Sequence, residues 1–341
     1  MKSAKVVNHL ICTIQIIPKK KLPITAKIAT TGNFILKELL NHEKNIVKMP
    51  IRTLILTISI TISITIYCAD LEKVIMLPRL EMFKSAIFTH RLSVYNESFV
   101  PVGKKQKNCK PFAAVWHDAL LGRNKEQIIS TFYNFFKSKR DVTKITLWLD
   151  NCTAQNKNWA FFSFLIFVVN SDDIRAEEIE LKYFEPGHTF MAADSFHHNV
   201  ELAMKRMGKV YDFEDFVQAV RNASRGTEVL PMKIENFFNW EDYSSQYKLN
   251  RLNPRPFIQS MTQVNVCRGS YTMKYKTDLD GEYFEINFLN SKITKNLKLP
   301  GPKTCSKING ISKEKKKNII QNMGEIMRNR LHFWENLPTT D

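Results

Sequence analysis

Glycine is scarce in this chain, with eleven residues in 341. That excludes long flexible Gly-rich linkers and any collagen-like repeat. Cysteine is sparse too. Cys12, Cys68, Cys109, Cys152, Cys267 and Cys305 are scattered, and no two form a C-x-x-C pair. A zinc finger or ribbon is therefore not expected, and a chain this long does not need a disulfide framework. The spacing reads as that of a protein from a reducing compartment. Acidic residues are also in short supply, 33 against 50 Lys and Arg, which leaves a net charge of +17. A surplus of that size favours a polyanionic partner, most simply nucleic acid or an anionic membrane surface, the alternative being a solubilising surface with no ligand. The remaining composition, 44% hydrophobic and 24% charged, is ordinary for a globular chain and excludes wholesale disorder.

The first fifty residues carry nine Lys against only Glu38 and Glu43. Residues 1–52 read as a basic, poorly structured segment. Residues 53–69 (TLILTISITISITIYCA) contain no charge. A membrane span would need a somewhat longer run without Thr or Ser at every second position. Period-two alternation of β-branched residues predicts a strand instead, so no membrane partner is expected.

Beyond this run the pattern becomes regular. Strands are predicted over 66–77, closed by Pro78, and over 85–95 and 112–117. A helix is predicted over 124–139, a short buried strand over 144–149 and an all-apolar helix over 159–169. A further strand spans 178–184. A helix over 191–207 follows, with Phe196, Val200, Ala203 and Met207 as its stripe. The order β-β-β-α-β-α-β-α is that of a ribonuclease H-like mixed α/β sheet flanked by helices, assigned to residues 53–225. A helix over 213–223 closes that domain. Residues 226–341 read as an irregular mixed extension, with a hairpin turn at Asp280-Gly281 and a basic helix over 313–330. The aromatic cluster His332-Phe333-Trp334 is expected to pack back onto the domain. No repeat of fixed period is present.

Three acids fall where such a sheet would use them. Asp70 lies in the first strand, Asp150 ends the short buried strand, and Asp194 opens the 191–207 helix. Carboxylates beside apolar strands are costly to desolvate unless a cation or donor compensates them. Several that converge make a hard-oxygen site suited to Mg²⁺ or Mn²⁺. In two-metal phosphoryl chemistry one ion activates the nucleophile and the other stabilises the leaving oxygen. Each acid also has a structural reading. Asp70 can pair with Lys73 or Arg79, Asp150-Asn151 can be a strand-ending turn, and Asp194 can complement a helix dipole. Asn151, Gln155 and Asn156 make the segment after Asp150 unusually polar and are supporting candidates. Glu201, seven residues beyond Asp194, is a rival third acid. With His197 or His198 it also raises zinc, though without a full ligand set. His188 can orient a carboxylate or a metal-bound water, or cap the helix. His117-Asp118 reads as structural. Lys313, Lys315, Lys316 and Lys317 share one helix end and are the local candidates for nucleic-acid contact.

The blocks DLEKVIMLPRL (70–80), FTHRLSVYNESF (88–99), WLDNCTAQNKNW (148–159), FEPGHTFMAADSFHHNVE (184–201) and FWENLP (333–338) resemble a family of transposon-derived proteins of animal genomes. That family looks like ribonuclease H-fold transposases of the Asp-Asp-Asp/Glu type. The resemblance implies a nuclear DNA phosphoryl transferase, compatible with a homo-oligomer. Asp70, Asp150 and Asp194 would be its acidic triad, Mg²⁺ or Mn²⁺ its cofactor and DNA its partner. The alternative it leaves open is a catalytically inactive, nucleic-acid-binding relic of a transposable element.

Overall fold

The computed structural model describes residues 63–80, 89–103, 109–185, 191–247, 256–290, 299 and 301–340. The chain divides into two units, Met1–Thr61 and Ile62–Asp341, and every described residue belongs to the second. The basic segment over residues 1–52 and the start of the uncharged run therefore lie outside the described residues, as does His188.

The fold is mixed α/β. It opens with β1 (Ile64–Leu71), β2 (Ile75–Leu77), β3 (Arg79–Leu80), β4 (Leu92–Pro101) and β5 (Phe112–His117). Then come α1 (Lys125–Ser138), β6 (Lys144–Leu149), α2 (Trp159–Asn170), β7 (Glu178–Tyr183) and α3 (Ala192–Met207). The chain continues through β8 (Lys209–Val210), α4 (Phe213–Arg221), β9 (Glu228–Pro231), α5 (Trp240–Tyr247), β10 (Gln263–Cys267), β11 (Met273–Lys276) and β12 (Phe284–Ile286). It ends with β13 (Ile311–Ser312), α6 (Lys313–Met323), α7 (Leu331–Glu335) and β14 (Thr339–Thr340). One ten-stranded sheet runs β12-β11-β10-β7-β6-β1-β4-β5-β9, with β2 also paired to β4. β1 pairs antiparallel with β4 and parallel with β6, and β6 pairs parallel with β7.

Each face of the sheet carries its own core. On one face Ile145, Leu147 and Leu149 of β6 pack beneath α1 and α2. The α2 sequence WAFFSFLIFVVN is buried from Trp159 through Val169, so it has no polar face to show. Asn158 caps it by accepting a hydrogen bond from the Phe161 amide at 3.0 Å. Phe99, Phe112, Phe132, Phe135 and Tyr67 interlock there, with the Phe99 and Phe135 rings stacked at 4.2 Å. On the other face α3, α4, α6 and α7 cover Cys68, Val94, Val100, Ala113 and Val115, and Trp334 is buried among them. Gly208, at φ +70°, ends α3 in a conformation that L side chains rarely adopt.

Several expected boundaries move for physical reasons. The first strand does not run unbroken to residue 77. It stops at Leu71, its ladder with β4 ends on the Glu72 amide donating to the Asn96 carbonyl at 2.9 Å, and the chain rejoins β4 as β2 with the register shifted by one residue. The second strand occupies 92–101, not 85–95. The polar triplet Asn96-Glu97-Ser98, just beyond the expected strand, is buried in its middle. Asn96 donates to Glu72 at 2.8 Å, and Ser98 donates to Asn96 at 3.0 Å. In β1 the alternation is right but its sense is inverted at the start, since Ile64 and Ile66 are 44% and 41% exposed while Thr65 is buried. Met207 lies exposed at the end of α3, and the neighbouring Met204 takes the buried position. The basic helix expected over 313–330 breaks after Met323. The 277–283 connection joins β11 to β12, with the Gly281 amide donating to the Asp278 carbonyl at 3.2 Å.

The segment beyond residue 225 is built into the main sheet. β9 pairs with β5, and β10 pairs with β7. Among the described residues, no helix is long and apolar enough to cross a membrane.

Candidate active site

β1 and β6 are adjacent parallel strands near the middle of the sheet, paired through Ala69↔Leu149. Asp70 and Asp150 are the next residue on each. They stand at the carboxyl ends of neighbouring strands about 5 Å apart. α3 crosses the same face, since the Ala193 amide donates to Cys68 Sγ at 3.2 Å. This brings Asp194 close enough for its charge to act on Asp70. Burial, then the charges of Asp150 and Asp194, push the Asp70 carboxyl up to about 7 from an ordinary 3.8.

The cations that could have neutralised Asp70 go elsewhere. Lys73 and Arg79 both pair with Glu201, at 2.9 and 2.8 Å. Burial would raise the Glu201 carboxyl, but the hydrogen bonds and charges of Lys73 and Arg79 bring it below the ordinary value. Glu201, the rival third acid, is thus engaged as an ion-pair partner of two cations, whereas Asp70 is not. His198 is exposed, so the zinc reading loses two of its three groups. His197 Nδ1 lies 3.8 Å from Asp70 Oδ2. Burial lowers His197 to about 4, against the opposing pull of Asp194, so the imidazole is neutral near pH 7.

Asp194 is partly committed to its own helix, because its Oδ2 accepts the Met191 amide at 2.7 Å. Asp150 Oδ1 accepts from Asn156 Nδ2 at 2.6 Å. The polar segment after Asp150 is explained residue by residue. Tyr183 donates its hydroxyl to the Asn156 carbonyl at 2.9 Å, and Asn158 donates to the Gln155 carbonyl at 3.2 Å. Lys157, only 2% exposed, donates to Asn151 Oδ1 at 2.5 Å and to the Gln259 carbonyl at 2.9 Å. Its ammonium lies 4.5 Å from the Tyr183 ring centre, and burial lowers its pKa to about 8. The network braces the corner that carries Asp150.

Two acids escaped the sequence reading. Glu97, on β4 opposite Leu71, is 3% exposed. Burial, then the charges of Asp70 and Asp150, hold it well above the usual carboxylate range. Glu72 is raised to about 7, mainly by burial. The signal was available. For Glu97 it is the apolar residues on either side of the triplet Asn96-Glu97-Ser98, since a charge buried in such a strand must be neutralised, or protonated, or serve a ligand.

Among the described residues, no three His, Cys, Asp or Glu side chains gather closely enough to hold a metal ion. The donor chemistry nonetheless suits a hard divalent cation. Asp70 is a carboxylate raised by burial and then by Asp150 and Asp194, with no cationic side chain among the causes, while Glu97 alternates onto the other face of the sheet.

The nucleic-acid candidates are divided. Lys315 pairs with Asp118 at 3.0 Å, and Lys316 donates to the carbonyls of Glu335 and Leu337 at 2.6 and 2.9 Å. These two tie α6 to the domain. Lys313 and Lys317 are exposed. His117 lies against Phe213 and Phe333, a structural placement.

These shifts set a pH dependence. Asp70 and Glu72 have folded values near 7, above their ordinary 3.8 and 4.5. The stability they contribute is complete below the unfolded values and is lost as pH rises through about 7. His117 and His197, lowered to about 4 from 6.5, oppose this only at lower pH, where stability is lost as pH falls below 6.5. Tm should therefore fall between about pH 6.5 and about pH 7.5 in metal-free buffer, above which Lys157, lowered to about 8, adds stability as pH rises. Calorimetry of Asp70→Asn should show a shallower fall, and an equal slope in both proteins would contradict this account.

A family model described as a domain of unknown function (DUF7869) matches residues 112–277. No curated protein matches the chain. A solved structure titled "Crystal structure of NurA bound to dAMP and manganese" aligns with 12% identity and a TM-score of 0.17. The alignment covers 81% of this chain and 61% of that one. A score that low carries no argument about fold or function.

Proposed function

We propose that this chain is a ribonuclease H-fold protein of transposase descent that cleaves or transfers DNA strands, with Asp70, Asp150 and Asp194 as its acidic residues. The carrying observation is Asp70 and Asp150 side by side on the central strands, with no cationic side chain compensating Asp70. The strand order β5-β4-β1-β6-β7, with β4 antiparallel to both neighbours, supports the ribonuclease H-like reading.

Asp70 and Asp150 would hold Mg²⁺ or Mn²⁺, with Asp194 adding its second oxygen. A bound divalent ion would supply charge for an attacking and a leaving phosphoryl oxygen. The chain's own residues do the positioning. Asn156 fixes one Asp150 oxygen, Lys157 and Tyr183 brace the corner, and the Met191 amide orients Asp194. The +17 charge would draw a phosphate backbone to the site.

One observation favours the second reading, a DNA-binding protein without catalysis. One Asp194 oxygen already caps α3, and no three ligating groups converge among the described residues. The test is incubation of the full chain with linear and supercoiled DNA in Mg²⁺, Mn²⁺ or EDTA. Cleavage with either metal and none in EDTA is the expected result, together with DNA affinity that falls steeply with salt. Salt-sensitive binding without cleavage would leave the second reading. Affinity that is flat across salt would overturn both.

A further inference from the structure

The second face of the sheet is covered unevenly. Among the described residues, its fully buried sheet residues come from β1, β2, β4 and β5, while Trp148 of β6 and Phe184 just after β7 pack against the edge of that core and stay half-buried. On this half of the face β6 presents Lys144, Thr146 and Trp148 and then reaches Asp150, while its alternate residues Ile145, Leu147 and Leu149 fill the opposite core. Trp148 stands in register between Cys68 of β1 and Lys182 of β7. Its ring lies 5.0 Å from that of Phe184, tilted by 36°, and both are half-buried. The Lys182 ammonium lies 5.5 Å from the indole centre.

We propose that the Trp148–Phe184 pair is a stacking platform for unpaired bases of a nucleic-acid strand whose backbone passes Lys182 on its way to Asp150. This rests on the DNA reading above and names the form of the substrate at that site. The indole is two positions from Asp150 on the same strand, so a base stacked there belongs to a nucleotide within reach of the acids. A duplex hides its base faces inside the stack, whereas an unpaired strand offers them to an aromatic ring. The negative charges of the face are already engaged. Glu178 accepts from Lys144 at 2.6 Å and from Asn265 at 2.6 Å, and Glu180 accepts from Thr146 at 3.1 Å and from Gln263. Among the described residues the nearest carboxylate to Lys182 is Glu180 at a loose 3.8 Å, so the ammonium beside the indole can also meet a phosphate. The chain's overall positive charge points the same way.

The experiment is fluorescence anisotropy of the full chain with labelled oligo-dT and with a mixed-sequence duplex of the same length, in EDTA so that binding is read without cleavage. Trp148→Leu should weaken oligo-dT binding about tenfold or more, since stacking supplies roughly that per base. Duplex affinity should change less than about twofold, and the slope of log Kd against log salt should stay constant because no ionic contact is removed. Trp148→Phe should retain most of the oligo-dT affinity. If Trp148→Leu does not fold, Phe184→Leu reports on the other ring of the pair, with the same single-strand-selective loss expected. Unchanged oligo-dT binding, or an equal loss for duplex, would overturn the platform while leaving the DNA reading in place. Wild-type protein that binds neither DNA would overturn that reading, and the platform with it.

Discussion

Asp150→Asn is expected to slow metal-dependent strand cleavage by at least ~10³ while leaving the fold and DNA affinity unchanged. Asn is nearly isosteric with Asp, and its side-chain oxygen can still accept the hydrogen bond that Asn156 gives Asp150 at 2.6 Å. The corner between β6 and α2, braced by Lys157 and Tyr183, is therefore kept. What disappears is the charge that would hold a divalent ion beside Asp70. In a partly desolvated site that attraction is worth several kcal/mol, and each ~1.4 kcal/mol is tenfold in rate. Single-turnover cleavage measures the effect directly. Glu201→Gln is the control. It weakens the ion pairs with Lys73 and Arg79 two turns along α3 from Asp194 and should cost much less in rate. Cleavage that survives Asp150→Asn would place the chemistry elsewhere on the chain.

Phe135→Ala should destabilise the domain by about 4 kcal/mol, the range found for large aromatic truncations in well-packed cores. Phe135 is fully buried, stacked on Phe99 at 4.2 Å and in edge or tilted contact with Tyr67, Phe112 and Phe136. Its neighbours are rings braced by one another, so the cavity cannot collapse easily. Urea unfolding should show the midpoint falling with the slope preserved. A loss below about 1 kcal/mol would mean that the ring cluster repacks freely.

Much of this architecture can be read from hydrophobic period alone. KITLWL and WAFFSFLIFVVN are bounded by polar residues and lack Gly or Pro, and both elements form where the pattern puts them. The failures occur where polar residues are buried and satisfied by partners distant in the chain. Asn96-Glu97-Ser98 looks like the end of a strand until Glu72 is placed beside it. QVNVC looks irregular until Gln263 and Asn265 meet Glu180 and Glu178 across the sheet. The site divides in the same way. Asp70 and Asp150 are visible as acids on apolar strands. The capture of Lys73 and Arg79 by Glu201 is not visible, because α3 and the chain after β1 approach only in three dimensions. Nor is Lys157, which sits among amides in the sequence but is buried under β7 and the Gln259 carbonyl.

The way the late strands join the sheet bears on which backbone edges it leaves open to another chain. Without β9 and β10, both β5 and β7 would show a row of unpaired amides and carbonyls, a template on which another chain could add. Among the described residues, the sheet ends instead on β9, four residues long and closed by Pro231, and on β12, three residues long. Short outer strands, one of them with a proline that cannot donate, offer little to a neighbouring backbone. The residues after 225 thus guard the sheet against edge-to-edge aggregation, and a copy of this chain cut at that point would lose the guard from both sides at once.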